Sequence, residues 1–485
     1  MKKLTIFFSL VLPLIASAFP KEIPKGYMYV GLKLDQSKMK DAMKKVMLPQ
    51  VYQQMESQVS MMSKMQMGFD IFNDNPSKIG IDPAGYVEVF FNPSNQKGVI
   101  VVPSKKPAAF ISSLQKILKG IWTNVKVQNL GRVRKLYTTN PSFKSDPVFY
   151  VIKGSKIYIA PDQQSLNLPA GDPLSAEFVA NLDAQIKNES PVMVMALDAK
   201  DFPDLRMMGE QRIVALLNNT SDRISLDVFV NYSGQDKPGV VTPSFIERNP
   251  LLMMAFNFDA KKLNQLLQMG GQNPLSAMLG NMNLADILGK TAFLTIQDFN
   301  ALELMQGSAT GLEAAIGVQT KNADPIKMIL DGIMMQSQGQ AKKGTPRMGP
   351  EITKDLVDGY DYYTFSGLPM GNGSRGNASG GMSLYMAFVN DYALLGSSDA
   401  GLRKIIANYK AGNQTFRIPV KGNNVFLFAN VEAVLKKINL VFPMLSSFSA
   451  EAGIALDNFK YLLGEIPEKQ TNGFFRATLS LIFNQ

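Results

Sequence analysis

The sequence predicts an α+β protein built from two tandem repeated domains, each a mainly antiparallel sheet with helices packed on one face. Three observations point there. A strand-like stretch ending in aspartate, YMYVGLKLD at Tyr27–Asp35, returns as LLMMAFNFD at Leu251–Asp259. A helical pattern follows each copy, and roughly nine elements then agree in order and type, as expected of an internal repeat. Ile224, Leu226, Val228 and Val230 alternate with Ser225, Asp227 and Asn231, the pattern of a half-buried antiparallel strand, with Phe229 the exception. The expected division is a leader at 1–18, a first repeat at 19–235, a linker at 236–250 and a second repeat at 251–485. The linker rests on Gly234, Pro238, Gly239, Pro243 and Pro250.

Lys2 and Lys3 precede the apolar run Leu4–Ile15, and Ala16-Ser17-Ala18 meets the small-residue cleavage rule. The expectation is an exported protein, periplasmic or extracellular, cleaved after Ala18. The run is short of the ~20 residues a membrane span requires. Losing Lys2 and Lys3 lowers the formal charge of +10 by two. The lysines are scattered in pairs such as Lys105-Lys106 and Lys436-Lys437, so the charge reads as solubility more than as a polyanion footprint. Each half is long enough to bury a core without disulfides, which the absence of cysteine rules out.

In the first repeat, Met39, Ala42, Met43, Val46 and Met47 form an i, i+3, i+4, i+7, i+8 stripe. Pro49 interrupts it, and Tyr52, Met55, Val59 and Met62 resume the spacing. Tyr86–Phe91 and Val99–Val102 flank the turn Asn92–Asn95 and read as a hairpin. Pro107 opens a helix with Phe110, Leu114, Ile117 and Leu118 on its apolar face. Val148–Ile152 and Lys156–Ile159 form a second hairpin. A helix at Ala176–Ile186, a strand at Val192–Asp198, a helix around Met207–Leu217 and a strand at Ile224–Tyr232 complete the unit.

The second repeat reads alike. Leu263, Leu266 and Leu267 mark a helix, and Thr291–Ile296 and Leu312–Val318 are strands. Asp324-Pro325 starts a helix with Ile326, Ile329, Leu330 and Ile333 inward. Tyr360–Phe365, Leu384–Val389 and Tyr392–Leu395 are strands, and Ser397-Ser398-Asp399 caps a helix. Val425–Ala429 and Phe474–Phe483 are strands matching Val192–Ala196 and Ile224–Tyr232. Gln338–Pro350 and Gly371–Gly381 read as Gly- and Ser-rich loops. The second of these lacks both the ending and the strand-to-helix context of a phosphate loop.

Zero histidines and zero cysteines remove imidazole bases, Ser-His-Asp triads, thiolate nucleophiles and the usual zinc sites. The remaining catalytic candidates are strand-end carboxylates Asp35, Asp198 and Asp259, which a polymer hydrolase could pair. The same positions suit helix caps, and their repetition favours capping. Met61, Met62, Met65 and Met67 could present soft thioether ligands for Cu(I), or continue the face of the Tyr52 helix. Methionine also builds adaptable apolar surfaces. The stretches YVGLKLD, VIVVPSKKPAAF and AIGVQTKNADPI resemble those of exported bacterial proteins with duplicated domains of unknown function; the resemblance implies architecture and no catalytic residue.

The function expected is that of a non-enzymatic envelope protein. It would bind a protein, lipid or polymer through a Met-rich helical surface, comprising Met39, Met43, Met47, Met55, Met62 and Met65, or through an inter-domain cleft. No cofactor, metal or nucleic acid is expected, and peripheral membrane contact is compatible with the charge. The alternative is a carboxylate-based hydrolase of envelope polymers. An outer-membrane barrel, prompted by the aromatic-ended strand Phe475–Phe483, conflicts with the helical stripes.

Overall fold

In a computed structural model of the chain, the described residues are 22–33, 35–122, 124–139, 146–173, 176–202, 212–231, 250–261, 283–305, 311–341, 351–368, 382–411, 423–442, 449, 451–467 and 474–484. The leader, most of the linker, the Leu263–Leu267 helix, the Gly371–Gly381 loop and residues 342–350 of the other loop lie outside them. Two compact units emerge from the contacts. One comprises Met1–Gly234, Ser449–Asn458 and Gln470–Gln485, the other Gln235–Phe448 and Phe459–Lys469.

The first unit begins with β1 (Glu22–Pro24) and β2 (Met28–Lys33), followed by α1 (Gln36–Val46) and α2 (Pro49–Met67). Then come β3 (Tyr86–Asn92), β4 (Lys97–Pro103), α3 (Pro107–Ile121), β5 (Val125–Leu130), β6 (Val133–Thr138), β7 (Val148–Lys153) and β8 (Lys156–Ala160). β9 (Gly171–Pro173), α4 (Ala176–Glu189), β10 (Met193–Asp198), β11 (Arg212–Asn219) and β12 (Arg223–Asn231) follow. Its ladder runs β5-β6-β7-β8-β4-β3-β2-β10-β11-β12, every pair antiparallel. β12 then pairs with the C-terminal strand Phe474–Phe483 over nine residue pairs, Arg223↔Ile482 to Asn231↔Phe474. β1 pairs with β9 apart from this ladder.

The second unit holds β13 (Leu252–Asn257), α5 (Leu284–Ile287), β14 (Leu288–Phe299), α6 (Ala301–Met305), β15 (Leu312–Thr320) and α7 (Asp324–Ala341). β16 (Glu351–Val357), β17 (Tyr360–Leu368), β18 (Met382–Val389), β19 (Tyr392–Gly396), α8 (Asp399–Lys410), β20 (Asn423–Asn430), α9 (Val431–Val441) and β21 (Phe459–Pro467) complete it. Its ladder runs β16-β17-β18-β19-β15-β14-β13-β20-β21, the order of the first unit. The registers correspond as well. Met195, Val30, Val89, Ile100 and Ile159 stand opposite one another across five strands of the first unit. Leu427, Met254, Leu294, Ile316 and Leu395 do so in the second. The strand Phe474–Phe483 is β22.

These findings correct the expected fold. The chain does not form two separate α+β domains with helices on one face. Twenty of its described strands belong to one large antiparallel sheet. Alternation along β12 tells which residues face a core, but reads the same for an edge strand as for one paired on both sides. Helices also lie on both faces. In β4, Ile100 and Val102 join one core with Phe110, Ile111, Leu114 and Leu118 of α3. Val99 and Val101 join another with Leu182 and Ile186 of α4. Successive strand residues point to opposite faces, so α3 and α4 cover opposite sides.

Single elements differ too. Residues 212–217, expected to be helical, belong to β11. The run IVALL is apolar throughout, and a short buried run carries no period to separate strand from helix. Val214 and Leu216 are fully buried between β10 and β12. β5, β16, β21 and α9 have no counterpart among the expected elements. β5 is mostly exposed, and its apolar–polar alternation covers only Val125 to Gln128. The Gln338–Pro350 loop begins later than expected, because α7 continues to Ala341. Among the described residues, no helix is long and apolar enough to cross a membrane.

Candidate functional site

The methionine-rich segment is a pair of helices ordered by local chemistry. Asp35 caps α1, its carboxylate accepting the N–H of Lys38 at 3.2 Å. Leu48 donates its N–H to Gly453 O, and Ala455 donates to Val46 O, which fixes the break between the helices. Pro49 occupies the first turn of α2, where no N–H partner is required. Gly68 ends α2 in the left-handed region, at φ 65°.

The structure divides the six candidate methionines. Met39, Met43 and Met55 pack half-buried against the core under α3. Met47 is half-buried, and its backbone bridges to Ile454. Met62 and Met65 lie outside that core, 46% and 80% exposed, beside Met61 at 58%. The helical face expected to continue through these residues instead passes through Tyr52, Ser60 and Ser63, all buried. Positions 61, 62 and 65 fall on the opposite arc. The side chain of Met67 is not among those described.

A residue the sequence reading passed over holds this apolar tip. Asp70 is 1% exposed and sits in the turn after α2. It accepts from Ser60 Oγ at 2.8 Å, Phe72 N at 3.0 Å, Asn73 N at 3.2 Å, Asn73 Nδ2 at 3.0 Å and Lys64 Nζ at 3.0 Å. Burial pushes its carboxyl up, but the bonds from Asn73, Ser60, Lys64 and Phe72 outweigh that and hold it well below the usual carboxylate range. Ser63 Oγ adds a bond from Ile71 N at 3.2 Å. The Asp-x-x-Asn spacing of a local turn was the available signal.

The strand-end carboxylates take different roles. Asp35 caps, and Asp259 accepts the N–H of Lys261 at 3.0 Å. Asp198 makes no cap bond. It is 5% exposed and paired with Arg212 Nε at 2.7 Å across the β10–β11 ladder. Burial raises its pKa, with Arg212 opposing the rise. A carboxylate so enclosed offers a polymer chain little surface, and its Oδ1 accepts from the guanidinium.

No protein family, curated protein or solved structure matched the chain.

Proposed function

We propose that the chain is an exported, non-enzymatic envelope protein that captures a protein partner through the methionine tip of α2. The observation carrying this reading is the exposure of Met61, Met62 and Met65 on a helix end that Asp70 holds in place. Three large apolar side chains in water on one helix end support the reading of a recognition surface, and thioethers repack around irregular partners. Lys64, between them in sequence, is committed to Asp70. The tip therefore offers apolar contact, with little free charge to draw it to an anionic lipid surface. The hydrolase alternative gains no support from the enclosed Asp198.

The test is crosslinking in cells with a photoreactive residue placed at Gln58, one turn before Met62. Replacing Met61, Met62 and Met65 by glutamine should remove the crosslinked partner while leaving the unfolding midpoint unchanged. A crosslink of undiminished yield in that variant would discard the surface.

A further inference from the structure

We propose a second binding site, in the second unit, that takes an organic cation carrying an apolar stem: an alkylammonium or guanidinium, free or on a basic side chain. The site is an open cleft of about 420 Å³ between α6, α9 and the adjoining ends of β14 and β15. That volume lies within the usual range for small-ligand sites.

Its lining has two characters. Phe299, Ala301, Leu440 and Val441 supply apolar wall. Leu440 is 82% exposed, which leaves an apolar lip in water at the end of α9. Opposed to this are three carboxylates, Asp298, Glu303 and Glu313, and one ammonium, Lys437. Lys437 Nζ pairs with Asp298 at 2.5 Å. Asn300 Nδ2 donates to Glu303 at 3.0 Å. Glu313 is half-buried and has no ion pair or side-chain hydrogen bond among the described residues. A carboxylate partly withdrawn from water and left unpaired is an attachment point for a cation. The carboxylates do not converge into a group that could hold a metal ion among the described residues, so a spread organic charge fits better than a bare ion.

Gly311 shows that the local chain is built around this hollow. A Cβ there would stand 2.7 Å from the Glu303 Cβ and 3.0 Å from the Asn300 carbonyl oxygen. Only glycine lets α6 close against the start of β15 and hold Glu303 on the cleft wall.

The experiment is calorimetric titration of the full mature chain with n-hexylammonium, n-hexanol, hexanoate and a lysine-containing pentapeptide. Hexylammonium or the lysine peptide should bind, with hexanol and hexanoate at least tenfold weaker. The tighter of the two cations identifies a free amine or a polypeptide as the source. Glu313→Gln should weaken the cation at least fivefold. Lys437→Met removes the competing ammonium and should tighten it several-fold, a gain that misfolding cannot produce. Glu432→Gln, on the same helix but outside the cleft, should change nothing. Equal binding of hexanol and hexylammonium, no binding of either cation, or Lys437→Met failing to tighten it would each overturn the proposal.

Discussion

The two units share a strand order and a register but close their cores differently. Leu136 and Tyr363 make the contrast, each the fourth residue of the strand after a tight turn and each fully buried. Around Leu136 the core under α3 is apolar, with Leu114, Leu118, Val148 and Ile157. Tyr363 instead donates its hydroxyl to Asp331 of α7 at 2.9 Å, while Lys354 reaches Asp331 at 3.1 Å and lies 5.2 Å over the tyrosine ring. Its neighbour Tyr362 points to the other face and donates to Asp399 of α8 at 2.7 Å. One repeated ladder thus holds α3 by apolar packing in the first unit and holds α7 and α8 through tyrosine hydroxyls in the second.

The five-strand row extends the contrast and gives the largest expected effect. Ile100 is 3% exposed, whereas Ile316, at the same place in the row, is 49% exposed. Ile100→Ala should cost about 2–5 kcal/mol and Ile316→Ala about 1 kcal/mol or less, read as denaturant midpoints at unchanged m-value. Equal costs would break the comparison.

Asp70→Asn comes next, at about 2–3 kcal/mol near neutral pH, because a buried hydrogen-bonded charge and its Lys64 partner are separated. Since the folded-state pKa of Asp70 is depressed, its contribution is fully present above the ordinary carboxylate value of 3.8. It is lost as pH falls below that toward the folded value. The gap in unfolding midpoint between wild type and Asp70→Asn should therefore narrow below about pH 4. A gap constant with pH would remove the charge from the account.

Tyr363→Phe should cost about 1 kcal/mol, since Lys354 still pairs with Asp331 when the hydroxyl is gone. Leu136→Tyr would sharpen the point from the other side. It should cost more than Tyr363→Phe, because the residues shown packed around Leu136, among them Leu114, Leu118, Val148 and Ile157, offer its hydroxyl no carboxylate.

Much of the fold was legible because periodic burial writes itself into sequence. The stripe of Met39 and Met43, the hairpins around Asn92 and Gly154, and the inward face of the Pro107 helix all stand as read. β5 escaped notice because its alternation is short, Val125 and Val127 against Lys126 and Gln128, and ends at Asn129. β11 was misassigned because its residues are buried on both sides. The methionine tip was legible only as a composition. The sequence spacing could not tell that the Tyr52 face turns inward through Ser60 and Ser63, because serine carries no hydrophobic signal until Asp70 supplies its partner.

By itself the amino-acid sequence determined the repetition, since the stretches ending at Asp35 and Asp259 specify like strands wherever they lie. It also determined what chemistry is missing, because no fold can create an imidazole or a thiol. Only the tertiary structure decided that the strands continue into one sheet, that helices cover both faces, and that Asp198 pairs with Arg212 instead of capping. Those outcomes depend on which distant segment occupies a strand's free edge or a carboxylate's lone pairs, a competition that local periodicity does not record.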